Sequence, residues 1–252
     1  MNSIAVSFGV FAIIFSGALL GMLLRRSLPQ EHFGSDAKDA VRLAVGLIVT
    51  MTGLVLGMLV SSAKGAYDAQ ANSVAEMSSQ IVLLDHLLKL YGPDAKQIHD
   101  EALESVGKAT DRIWSKAPSD ESALKPKAAS QDFYREVELL VPKNETQAAL
   151  KSEILSMTSA LRKSQWLMFL KSEQTSASIP LLCVVTTWLV AIFISFGIFA
   201  PPNTTVIVTL VVCALAVSAA IFIILEMYSP FTGVLRISPT AVQDAMRQMA
   251  AN

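Results

Sequence analysis

Long uncharged runs alternate with one polar stretch along this chain. Residues 1–24 carry no charge, and neither do Leu43–Ala63. Between Glu173 and Glu226 lie 52 consecutive uncharged residues, with Pro201-Pro202-Asn203 in their middle. About 20 apolar residues cross a bilayer as a helix, so this run holds two crossings and a tight turn. Four spans are predicted: Ile4–Leu24, Val41–Ala63, Ile179–Ala200 and Thr204–Tyr228. Pro180 is tolerated in the first turn of the third. Gly17 and Gly21, four apart, permit another helix to approach the first span closely.

The polar stretch reads as helices. Val74, Met77, Ile81, Leu84, Leu88 and Tyr91 recur at alternating threes and fours, the seam of an amphipathic helix continuing from the second span. Gly92-Pro93 ends it. Asp94 is placed to cap a second helix with the face Ala95, Ile98, Ala102, Val106, Ala109 and Ile113. Residues 117–130 read as a loop. Phe133, Val137 and Leu140 mark a short helix stopping at Pro142. Asn144 and Gln147 are spaced like a capping box before a last helix carrying Leu150, Ile154, Met157, Leu161 and Met168. The predicted fold is all-α: two N-terminal and two C-terminal transmembrane helices flanking an extramembrane helical bundle. Residues 1–63 hold the first two spans, 64–178 the insert, 179–228 the second hairpin, and 229–252 a polar tail ending in a short helix.

Composition supports this division. Hydrophobic residues make up 52% and charged residues 16%, against about 25% charged in a typical soluble domain. Of the 41 charged residues, 30 lie between Lys64 and Glu173. The net charge of −1 gives no footprint for nucleic acid. Cys183 and Cys213 fall inside predicted spans and are expected to be small packing residues. The first apolar run has no basic residues before it; Arg25 and Arg26 follow it, so an uncleaved span is expected. The third and fourth spans are expected to form an outer hairpin packed through Thr209, Cys213, Ala216 and Ala220.

Four spans put both termini and the insert on one side of the membrane. Basic residues near span ends do not choose the side. Arg25, Arg26, Lys38 and Arg42 flank one surface; Lys64, Lys163, Lys171 and Arg236 flank the other.

The second span carries the sharpest pattern. Arg42, Gly46, Thr50, Gly53, Gly57, Ser61 and Lys64 fall within an arc of roughly 100° at about 100° per residue. Small residues and hydroxyls can line a narrow pore, with Arg42 and Lys64 as cations at its mouths. The same Gly53-xxx-Gly57 spacing also serves plain helix packing. No charge sits in the middle of any span, which disfavours a proton-coupled carrier.

His86 and His99, beside Asp85 and Asp100, are placed at matching heights on a helical hairpin, but their spacing is no recognised metal signature. No metal or other cofactor is expected. No Walker loop, dinucleotide fingerprint, HExxH or GxSxG occurs, so an enzyme is not expected.

Particular stretches resemble a family. They are Leu28-Pro29, VRLAVGLIVTMTGLVLGMLVSSAK over Val41–Lys64, Tyr67-Asp68-Ala69-Gln70, and Ile81–Tyr91-Gly92-Pro93. FGIFAPPNTTV between the last two spans, Leu225-Glu226 and Ser229-Pro230-Phe231-Thr232-Gly233 complete the set. Over nearly its whole length the chain resembles the bacterial bestrophin-like integral membrane proteins, which are distantly similar to the bestrophin anion channels. The resemblance implies a homo-oligomer, pentameric by analogy, whose second span lines the pore neck. It also implies a multi-pass protein of the bacterial inner membrane with a cytoplasmic insert and termini. Bestrophin necks carry bulky residues where this stripe is small and polar. The tail 227–252 holds Asp244 as its one acid, so calcium gating is not implied.

The expected function is therefore a homo-oligomeric channel passing small anions through the bilayer. Gly46, Thr50, Gly53, Gly57 and Ser61 would line the path, and Arg42 and Lys64 would stand at its mouths. The alternative is a non-conducting membrane scaffold or sensor whose insert binds a partner or ligand.

Overall fold

A computed structural model describes residues 3–27, 35–114, 129–173, 179–201 and 203–251. Eight helices occur among them and no strand, so the fold is all-α. They are α1 Ser3–Ser27, α2 Ser35–Tyr91, α3 Lys96–Trp114, α4 Ala129–Leu139, α5 Glu145–Glu173, α6 Ile179–Phe199, α7 Thr204–Met227 and α8 Thr240–Ala250. Four have the length and apolarity to cross a membrane: α1, most of α2, α6 and α7. Most of the predicted loop 117–130, and Pro202 of the predicted turn, lie outside the described residues.

The chain divides into two compact units. One comprises residues 1–65 and 176–228, the other 66–175 and 229–252. The long helix α2 belongs to both.

In the membrane unit, α1 packs chiefly against α6 and α7. Apolar burial drives little association in lipid, so close backbone contact matters more. The predicted glycines make that contact. A Cβ on Gly21 would lie 2.2 Å from the Ile194 carbonyl oxygen and 3.0 Å from Gly197 Cα. One on Gly197 would lie 2.2 Å from the Ala18 oxygen, and one on Gly17 would press on Val190 at 3.3 Å. Ile14, Ala18, Val185, Ala214 and Ile221 are fully buried around this crossing. The α1 C-terminus is tied to the α6–α7 turn, where Arg25 donates from its guanidinium to the Ala200 carbonyl.

Two expectations for this unit are overturned. Cys183 and Cys213 are exposed and free, so neither fills the core. The buried face of α7 carries Leu210, Ala214, Ser218, Ile221 and Ile224, while Thr209, Cys213 and Ala216 are exposed and Ala220 is half-buried. Small residues allow close packing on either face; within the chain α7 uses the face of Ala214 and Ser218. Glu226, in the last turn of α7, is buried at 2% exposure.

The second unit has an aqueous-type core. Val74, Ile81, Leu84, Leu88 and Tyr91 of α2 bury the predicted seam against Ile98 and Ala102 of α3, Val137 of α4, and Ile154 and Met168 of α5. Each fully buried side chain of this kind contributes about 1.5–3 kcal/mol. Gly92 adopts φ 106°, ψ −166°, a conformation essentially reserved for glycine, and Pro93 cannot continue the helix. Asp94 does not cap α3. A single 3₁₀ turn over Pro93–Ala95 intervenes, and the Asp94 carboxylate instead pairs with Lys143 at 2.6 Å. Half of the capping box forms: the Gln147 amide N–H donates to Asn144 Oδ1 at 2.7 Å. The other half shifts by one residue, because the Gln147 side-chain oxygen accepts from the Lys143 N–H at 2.8 Å.

The tail after α7 folds into this second unit. Phe231, Ile237, Val242, Ala245 and Met249 join its core. Trp114 donates from Nε1 to the Ile237 carbonyl at 2.8 Å and meets the Phe231 ring edge-on at 5.7 Å. Lys89 reaches the Met249 carbonyl at 3.4 Å.

Tyr91 yields a stability prediction. It is 2% exposed, and its hydroxyl has no hydrogen-bond partner among the described residues. Burial, reinforced by the nearby Asp94 carboxylate and partly offset by Lys143, raises the phenol above its usual range. An unsatisfied buried hydroxyl is destabilising, so Tyr91→Phe is expected to stabilise the fold by about 1 kcal/mol. A lower thermal midpoint for Tyr91→Phe than for the parent would contradict this.

Candidate ion pathway

Helix α2 has the barest of the four spans. Buried residues make up 11% of its most apolar window, against 33% in α1 and 28% in each of α6 and α7. Its contact with the rest of the membrane unit is a narrow seam. Thr52, Leu59 and Ala63 are buried there, and Val45, Ile48, Val55 and Leu56 are packed at its margins.

The predicted stripe lies on the opposite side. Arg42, Gly46, Thr50, Gly53, Gly57, Ser61 and Lys64 are all exposed in the single chain. A Cβ added to Gly46, Gly53 or Gly57 would meet nothing within 4 Å. Packing within the chain therefore gives no reason for these glycines, in contrast to Gly21 and Gly197. Large apolar side chains flank the stripe: Leu43, Leu47, Leu54 and Met58 on one side, Val49 and Val60 on the other, all exposed. A polar strip with apolar shoulders suits a helix that turns its strip toward an axis and its shoulders toward neighbours or lipid.

The polar groups are arranged as follows. Thr50 Oγ1 donates back to the Gly46 carbonyl at 3.0 Å, leaving its oxygen lone pairs and methyl outward. Arg42 is paired with Asp39 at 3.5 Å, both side chains strongly exposed, so its charge is locally diluted. At the other end of the span, the Tyr228 hydroxyl donates to Ser62 Oγ at 3.3 Å, tying the end of α7 to α2.

The histidine cluster resolves into a hydrogen-bonded network around Asp85. His99 Nε2 lies 2.6 Å from Asp85 Oδ1 and its Nδ1 lies 3.3 Å from Asp100 Oδ1. The other Asp85 oxygen is held by Lys89 at 2.9 Å. Asp85 is 7% exposed, so these two donors compensate its burial. His86 is exposed. Among the described residues no group of three or more His, Cys, Asp or Glu is arranged to hold a metal ion. The i, i+4 spacing of Asp85 and Lys89 was visible in the sequence; its burial beneath α3 and α8 was not.

A family model described as the bestrophin-like domain matches residues 12–242. No curated protein and no solved structure matches the chain.

Proposed function

We propose, from the premise that this chain belongs to the bestrophin-like family, that it is a homo-oligomeric channel passing small anions along its second span. Membership supports a channel-like role for a multi-pass membrane protein in general terms. The finer reading rests chiefly on one observation: the small polar face of α2 is unpacked within the chain, on the least covered of the four spans. Copies of the chain assembled with this face inward would enclose a path lined by Gly46, Thr50, Gly53, Gly57 and Ser61. Arg42 and Lys64 at the ends would favour anions over cations. A five-fold ring, the bacterial inner membrane and a cytoplasmic insert complete the proposal by family resemblance, with no enzymatic step.

Purified protein reconstituted in a planar bilayer is expected to give anion-selective currents in chloride or nitrate solutions. Silence across a range of voltages and anions would overturn the reading. The alternative is a scaffold or sensor in which the spans only anchor the insert and the insert binds a partner or ligand. An oligomer axis filled by side chains would favour the alternative.

A further inference from the structure

We propose that the helical insert contains a binding site for a small apolar molecule of about aromatic-ring size bearing one hydrogen-bonding group. A cavity of about 120 Å³ lies inside the second unit, among α2, α3, α5 and α8. Met77 and Ile81 of α2, Val106 and Ile113 of α3, Met168 of α5 and Val242 of α8 line it. Close-packed interiors hold few voids larger than a water molecule. An apolar cavity of roughly 150 Å³ takes up benzene; this one, at about 120 Å³ with an open side at Ser105, can seat a ring whose polar edge reaches the opening.

The lining sets the chemistry. No charged side chain contributes to it. Thr110 Oγ1 already donates to the Val106 carbonyl at 2.8 Å, so its proton is not available to a ligand. Ser105 is exposed and Gln165 half-buried; both border the cavity, and Ser105 marks where it meets solvent. Their hydroxyl and carboxamide stand at the cavity border and supply donors and acceptors for one polar group on the ligand. Methionines at positions 77 and 168 can shift to fit different shapes.

One wall belongs to the C-terminal helix through Val242. Trp114, which also lines the cavity, is bonded to the tail at Ile237. A bound molecule therefore touches both the insert and the tail packed on it, and its binding stabilises that docking. The site uses no residue of the second span, so its fate is separable from that of the conduction reading.

Three tryptophans occur in the chain; Trp166→Phe with Trp188→Phe leaves Trp114 as the reporter. Bromobenzene, a heavy-atom quencher, is titrated into this protein in detergent. Saturable quenching of Trp114 is expected, with apparent affinity weakened at least about tenfold in Ala109→Met and Val242→Phe, which fill the cavity. Both fillers are expected to retain the parent's thermal midpoint or exceed it, and if one fails to fold the other decides. Met77→Ala, which enlarges the space, is expected to quench more at equal bromobenzene. Quenching that rises linearly and identically in all variants would mean partition into detergent alone and would overturn the site. So would saturable quenching that the filled variants keep.

Discussion

Gly21→Ala and Gly197→Ala are each expected to destabilise the membrane unit by about 2 kcal/mol or more. The added methyl would sit 2.2 Å from a backbone carbonyl oxygen in either case, Ile194 for the first and Ala18 for the second. A flexible side chain could move aside, but these obstacles are helix backbones, so the helices themselves must separate. Separation loses the contacts of buried Ile14, Ala18 and Val185 around the crossing. Because both substitutions wedge apart the same pair of helices, the double variant is expected to lose less than the sum of the two. Gly46→Ala provides the control: its Cβ would meet nothing within the chain, and alanine in a helix is favoured over glycine by about 0.5–1 kcal/mol. The measurement is the unfolding midpoint of purified protein in mixed detergent. A Gly21→Ala protein as stable as the parent would show that α1 and α6 do not meet as described.

Gly57→Leu is expected to reduce single-channel conductance by at least about tenfold, through a ring of apolar side chains that dewets the narrow part of the path. In the proposed homo-oligomer the substitution would repeat in every copy, so even a modest volume per subunit would narrow the axis considerably. Two measurements separate the explanations left open by the sequence. If Gly57 lines the path, the conductance falls while the oligomer keeps its mass in detergent. If Gly57 instead packs against a neighbouring copy, the oligomer dissociates. Unchanged current through an unchanged oligomer would remove this face of α2 from the pathway.

Much of the fold was legible because its signals are one-dimensional. The 52-residue charge-free run yields α6 and α7, since charge is excluded from hydrocarbon wherever the helices sit. The seam from Val74 to Tyr91 is buried as its spacing requires, and Gly92 turns the chain with a backbone that only glycine readily adopts. Gly17 and Gly21 were legible as a contact surface, although their partner at Gly197 was not, because a spacing of four names one helix and not its mate. The family resemblance drawn from short stretches also holds across residues 12–242.

Other features needed the tertiary arrangement. Thr209, Cys213 and Ala216 look as fit for packing as Gly17 and Gly21, yet they face outward. Inside a membrane all faces of a span are apolar, so composition cannot say which one is covered. Asp94 looks like a cap, but a 3₁₀ turn and the approach of Lys143 take it elsewhere. The polar tail gave no sign that Phe231, Ile237 and Met249 would complete the core of the insert, because a short amphipathic helix fits any apolar surface of matching width.

The sequence by itself determined the four spans, the helical insert and the small polar stripe of α2, since each follows from periodicity and from the exclusion of charge from lipid. Only the tertiary structure decided how two similar-looking sets of glycines differ. Gly21 and Gly197 are consumed by a backbone crossing, while Gly46, Gly53 and Gly57 are left open. The reason is that a glycine's role depends on what approaches its missing Cβ, and that is set by residues far away in the chain.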